Sequence, residues 1–312
     1  MLEDKSMGIA NFNCTFGKKN EPMLEHFESI VLPAFQQNLV HEIKGNKFHF
    51  EKVRLVMTKG EFALAGIIVK RTKLVVKSLV KEGEGLTRTN QVIPSDPYSY
   101  FFINLKNHRM ALVKNQPGSP TLNNFSSLAK YYLRTFINEH NRNVENAVDK
   151  LLAAKLNVVA IPFKGVIKEE LQNIKKIEYV TLRFYPLNGD ILENETIEHL
   201  REMLDEVDSN SAYTRINTPK NHDKVAELLE DTKGTVKPSI RVIYKNNSKR
   251  TLTDEAFTES MNIEIDDEEP FIENIDNMAG KLINKEEFIE TSEENEGLYD
   301  KFFGVLSNLF NR

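Results

Sequence analysis

The chain has 312 residues, 40% of them hydrophobic, a single cysteine and a net charge of −5. That length allows one large or two ordinary domains, and no apolar run approaches the ~20 residues of a membrane helix. A lone Cys14 excludes an internal disulfide and a cysteine-rich zinc site, and the opening MLEDKSMG carries two acids and no apolar stretch, unlike a signal peptide; together these predict a cytoplasmic protein.

In chain order, residues 8–13 read as a short strand. A helix is predicted over 23–38, broken or kinked near Pro33, which lacks an amide donor. Residues 46–55 place Phe48, Phe50, Val53 and Leu55 at a period near two, as in a half-buried strand. Residues 61–69 are almost wholly apolar and predict a buried strand, and 74–80 either extend its pairing or begin a helix. Residues 82–96, with Gly, Asn and Pro, read as a loop. Residues 98–104 and 108–114, joined by Leu105-Lys106-Asn107, predict a β-hairpin.

Asn124-Phe-Ser-Ser offers N-cap side chains for a helix over 124–138, with Leu128, Tyr131, Tyr132 and Phe136 at helical spacing. A further helix is predicted over 143–156. The second half repeats the mixed pattern: strands over 158–163, 177–185, 239–244 and 261–265, and helices over 168–174, 194–207 and 220–230. An amphipathic helix over 298–310 follows an acidic linker. The predicted class is therefore α+β, with mixed or antiparallel sheets and flanking helices. Three segments are expected: a basic domain over 1–150, a second α+β domain over 151–270, and the acidic linker with its helix over 271–312.

Chemical motifs are sparse. The sequence has no phosphate-binding G-x-x-x-x-G-K-[ST] loop, no G-x-G-x-x-G after a strand and no G-x-S-x-G elbow. Its seven histidines never fall at H-x-x-x-H spacing. Asp266, Asp267, Glu268 and Glu269 offer oxygen ligands for Mg²⁺, but a solvated acidic loop explains them better. Cys14, with Lys18 and Lys19 nearby but no histidine partner at a recognisable spacing, reads as an ordinary small residue. No catalytic residue, metal or cofactor is assigned.

Charge is more informative. Residues 1–150 hold 21 Lys/Arg against 14 Asp/Glu, and residues 151–312 hold 20 against 32. Between Lys70 and Arg142 the count is 12 cations against four acids, whereas between Asp254 and Asp300 it is 17 acids against Lys281 and Lys285. The basic stretch reads either as a polyanion-binding face or as an ordinary solvated one. On the first reading the contacts are Lys70, Arg71, Lys73, Lys77, Lys81, Arg88, Lys106, Arg109, Lys114, Lys130 and Arg134. The interleaved aromatics Tyr98, Tyr100, Phe101 and Phe102 fit a core better than a base-stacking platform. In the terminal helix, the apolar face with Phe302, Phe303, Leu306 and Phe310 needs burial, in the core or against a second copy.

One ordered series of segments resembles a known family. NKFHFEKV is followed by KGEFALAGIIVKRTKLVVKSLV, the aromatic hairpin YFFINLKNHRMALVKNQPGSPTLNNF, LNVVAIPF, IKKIEYVTLRFYP, SIRVIYKN and MNIEI, across residues 8–266. This series resembles the RexA family of phage exclusion proteins, first known from phage lambda, a prophage-encoded antiviral defence. The resemblance implies sequence-independent DNA binding by a homodimer, and superinfection exclusion together with a RexB-like membrane protein partner. It carries over no individual DNA-contact residue. Two other readings stay open: a metal-dependent nuclease built on the acids around Asp266, and a protein-interaction adaptor that binds no nucleic acid.

Overall fold

The computed structural model describes residues 2–187, 199, 202–204, 206–207, 209, 211–258, 260–266 and 268–312. Most of the helix predicted over 194–207 lies outside the described residues. The strands are β1 (Leu2–Phe16), β2 (Glu21–Pro22), β3 (His41–Ile43), β4 (Asn46–Thr58), β5 (Glu61–Lys81), β6 (Gly85–Ser95), β7 (Tyr98–Asn104), β8 (Arg109–Lys114), β9 (Ala154–Ala160), β10 (Ile174–Phe184), β11 (Ala212–Asn217), β12 (Lys237–Tyr244), β13 (Lys249–Thr253) and β14 (Met261–Asp266). The helices are α1 (Leu32–Phe35), α2 (Leu122–Arg142), α3 (Lys164–Gln172), α4 (His222–Glu230), α5 (Phe271–Leu282), α6 (Glu286–Ile289) and α7 (Glu293–Phe310). The class is α+β, with antiparallel pairing in both sheets.

The larger sheet runs β14-β1-β8-β7-β5-β4-β3, with β2 and β9 also on β1 and β6 also on β5. Strand β5 shows why its apolar run does not alternate. Phe62, Leu64 and Ile68 enter one core, and Ala63, Ala65, Ile67 and Val69 enter another on the opposite face. A strand whose neighbours cover both faces needs apolar residues at every position. The first face is covered by the helical stretch ending in α1, by α2 and by α7; the second is covered by α5 and by Phe288 of α6. The smaller sheet, β11-β10-β12-β13, packs Ile177, Val180, Ile240 and Val242 against Ile167 and Leu171 of α3 and Val225 and Leu229 of α4.

Several expectations are corrected. Residues 85–95 are strand β6, and only Glu82-Gly83-Glu84 turn between it and β5, with Gly83 at φ 80° and Gly85 at φ 70°. Residues 143–156 are not a helix: a short 3-10 turn at Ala147–Asp149 precedes β9, which pairs with β1 along Ala10–Phe16. The acidic linker is instead α5 and α6. Phe271, Ile275, Met278, Ala279 and Leu282 of α5 keep helical spacing and enter the second core. The cap of α2 is Thr121, whose hydroxyl accepts from the Asn124 amide while Asn124 Oδ1 accepts from the Thr121 amide.

The sheet also crosses the boundary expected near residue 150. Strands β9 and β14, from the later half, both pair with β1. Buried polar links join the two sheets: Asn13 Nδ2 donates to the Pro186 carbonyl at 2.6 Å, and the Ala160 amide donates to Asp254 Oδ2 at 3.1 Å.

Candidate nucleic-acid interface

Strand β5 outruns its sheet. Strand β4 accompanies it only to Arg71 and β7 only to Val69; beyond that, β6 alone pairs with it. No residue from Arg71 to Asp96 is buried. At about 3.3 Å per residue, residues 72–81 carry this two-stranded arm about 30 Å outward.

Alternation gives the arm two unlike faces. Arg71, Lys73, Lys77 and Lys81 share one face with Val75 and Leu79. The other carries Leu74 opposite Ile93, Val76 opposite Gln91, Ser78 opposite Arg88 and Val80 opposite Leu86. The step from Val76–Gln91 to Ser78–Arg88 places an extra residue in β6, a bulge that increases local twist. Lys81 pairs with Glu84 at 3.4 Å, and both side chains are largely exposed. The arm therefore presents five cations against Glu82 and Glu84.

Six of the eleven cations singled out in the sequence thus converge on the arm and its root. Lys70 stands at the root, where Nζ donates to the Gly118 carbonyl at 3.2 Å. The other five separate from it. Arg109 is 2% exposed and donates from Nη1 to the Lys233 carbonyl at 2.9 Å, because β8 lies inside the sheet between β1 and β7. It is a structural tie rather than a surface cation. Lys106 bridges Glu61 at 3.5 Å and Glu296 at 3.0 Å, linking β5 to α7. Its hydrogen bond to Glu296 raises its pKa, against the opposing effect of burial. Lys114 ends β8, exposed, beside a small cavity of about 190 Å³.

Lys130 and Arg134 belong to a different feature, a cleft of about 540 Å³ between α2, β9 and the end of β10. Lys155 and Arg183 line it with them, and its other wall includes Leu133, Ile137, Leu156 and Tyr185. The Arg183 guanidinium sits 5.1 Å from the centre of the Tyr185 ring. Burial, with the charges of Lys237 and Arg183, holds the Lys130 pKa below its ordinary value. The sequence pointed to Lys130 and Arg134 by their spacing of four. It gave no signal for Lys155, Arg183 or Tyr185, which come from distant strands and meet only on folding.

The aromatics of the hairpin are core. Phe101 is fully buried and packs against Phe35, Phe50 and Phe125, and Tyr100 stacks on Phe271. In α7, Leu306 is 1% exposed, and Phe303 and Phe310 lie 5.2 and 5.9 Å from Phe62. Phe302 is half-buried against the first core. The apolar face of the terminal helix is thus only partly covered by its own chain, since Phe303 and Phe310 remain 39% and 45% exposed. Cys14 is fully buried in the same core, and burial pushes its thiol up to about 12.

Of the acids around Asp266, residue 267 lies outside the described residues. Asp266 Oδ1 accepts from the Glu268 amide at 3.0 Å, closing a turn before α5. Among the described residues, the group of ligating side chains that do converge is Glu21, Glu25 and His26. There His26 Nε2 is 2.8 Å from Glu21 and Lys301 is 3.4 Å from Glu25. No helix among the described residues is long and apolar enough to cross a membrane. Compared with models of known protein families and with characterised proteins, the chain matches none.

Proposed function

We propose that this chain binds duplex DNA without sequence preference, through the arm formed by β5 and β6, as the DNA-binding component of a RexA-like phage exclusion system with a membrane protein partner. One observation carries the reading: Arg71, Lys73, Lys77 and Lys81 line one face of an unburied two-stranded ribbon. A two-stranded ribbon fits the major groove of B-DNA, and a row of flexible cations binds phosphates of any sequence. Arg88 adds charge from the opposite face near the bulge.

The system-level part of the proposal rests on the resemblance of residues 8–266 to that family. Leu306 is buried within the chain, whereas Phe303 and Phe310 of the terminal helix stay partly exposed and are open to a second copy in the proposed homodimer. The test is a fluorescence anisotropy titration at low salt with duplexes of unrelated sequence. Similar affinities for all, weakened alike by Lys70→Glu with Arg71→Glu and Lys73→Glu, support the reading. No binding by folded protein refutes it. The same duplexes incubated with Mg²⁺ or Mn²⁺ report any cleavage, the outcome expected of a nuclease.

A further inference from the structure

We propose that the cleft between α2, β9 and β10 binds a mononucleotide-class ligand, a small molecule joining phosphate to a planar ring. Two elements bring cations to it, Lys130 and Arg134 from one turn of α2 and Arg183 from the end of β10, and Lys155 of β9 lines it while its Nζ donates to Asn20 Oδ1 at 2.9 Å. Among the described residues, no carboxylate lines the cleft. Asp254, whose field reaches Tyr185, is engaged elsewhere: Lys237 lies 3.5 Å away and the Ala160 amide donates to it. Burial first, then the charges of Lys237 and Arg183, lower the Lys130 pKa, and the cleft's cations, with no carboxylate among the described lining residues, are left in mutual repulsion. A bound phosphate relieves it, and arginines suit a phosphate because their planar forks bind two oxygens together.

The rest of the lining selects what accompanies the phosphate. Leu133, Ile137 and Leu156 form an apolar wall continuous with the main core. Tyr185 is fixed beside it because the next residue, Pro186, accepts the buried hydrogen bond from Asn13. With Arg183 over its ring, Tyr185 provides the stacked aromatic and cationic surfaces that hold a planar ring. The volume of about 540 Å³ fits a ligand of this size, and a concave site excludes the duplex that the arm is proposed to grip. The site is thus independent of the arm.

The experiment is isothermal titration of the full chain with ATP, AMP, adenosine, inorganic phosphate and a 5′-phosphorylated oligonucleotide. A nucleotide is expected to bind saturably, and adenosine and phosphate each about tenfold or more weakly. Arg134→Ala with Arg183→Ala should lower nucleotide affinity about tenfold or more, while Lys73→Glu with Lys77→Glu leaves it unchanged. Because the double variant removes surface charge from a packed region, thermal unfolding of the wild type with and without ATP provides a second reading, and a raised midpoint is expected. Absence of saturable nucleotide binding at about 1 mM overturns the proposal. So does phosphate binding as tightly as ATP, wild-type affinity in a folded double variant, or tighter binding of the oligonucleotide than of either nucleotide.

Discussion

The hydroxyl of Tyr299 accepts a hydrogen bond from the backbone amide of Phe62 at 2.7 Å, joining the terminal helix α7 to the second residue of β5. Phe303 and Phe310 pack on the Phe62 ring from the same helix, and Lys106 bridges Glu61 to Glu296 alongside. The helix is therefore part of the body that anchors the arm. Tyr299→Phe leaves a buried amide without its acceptor and should cost about 1–3 kcal/mol in urea unfolding. Removing residues 297–312 exposes Phe62 and should lower stability far more than it changes subunit number. Light scattering and unfolding on the same sample separate the two effects. A fully stable truncated chain would show that α7 does not support the sheet.

Gly66 lies beneath the Phe101 ring. A Cβ at this position would come within 2.5 Å of Phe101 Cζ and 3.0 Å of Val53 Cγ2. Phe101 in turn touches Phe35, Phe50 and Phe125, so it has little room to yield. Gly66→Ala should therefore destabilise by about 1–3 kcal/mol despite its small size. Gly66→Ala combined with Phe101→Leu should recover part of that loss, a coupling that a double-mutant cycle measures.

Acid should weaken the fold partly through one histidine. Burial, reinforced by the Arg109 charge, lowers the His108 pKa from 6.5 to about 4. A histidine whose folded pKa is depressed binds more protons when unfolded, so its contribution is intact above pH 6.5 and falls as pH drops toward 4. Over that window the loss amounts to about 3 kcal/mol. His108 has φ 57°, a conformation asparagine accepts, so His108→Asn is the suitable comparison. The stability gap between wild type and His108→Asn, measured by urea unfolding, should move in favour of the variant as pH falls from 7 to 4.5. A gap independent of pH would contradict the burial assigned to His108.

The sheet core was legible because two-sided burial leaves an uninterrupted apolar run, as in residues 62–69. The arm was half legible: residues 74–80 allowed an extension of β5, but β6 was read as a loop because an unburied strand carries no apolar periodicity and its glycines and Asn90 resemble a loop. Residues 143–156 have helical spacing, but tertiary pairing overrides it. Asn141 exchanges hydrogen bonds with the Leu151 backbone in both directions, and the following residues join β1 as a strand. Acid-rich composition hid the apolar stripe of α5. For the candidate site, charge counting found the right stretch but could not rank its members. It could not see that Arg109 lies in the middle of a sheet, or that Lys106 is tied to α7. The cleft escaped beyond its two α2 cations, since Lys155 and the Arg183–Tyr185 pair come from separate strands more than 20 positions along the chain from Arg134 and carry no shared motif.

The most direct test of the arm as a DNA-binding element is the salt dependence of duplex affinity, in the wild type and in a variant with Arg71, Lys73, Lys77 and Lys81 each changed to Gln. These side chains are unburied, so the variant should fold with an unchanged unfolding midpoint. Removing one cation from its phosphate flattens the slope of log affinity against log salt by about 0.9. The account predicts a slope shallower by about 3–4 in the variant, the same for every duplex sequence. An unchanged slope in the folded variant would place the DNA-binding surface elsewhere and contradict it.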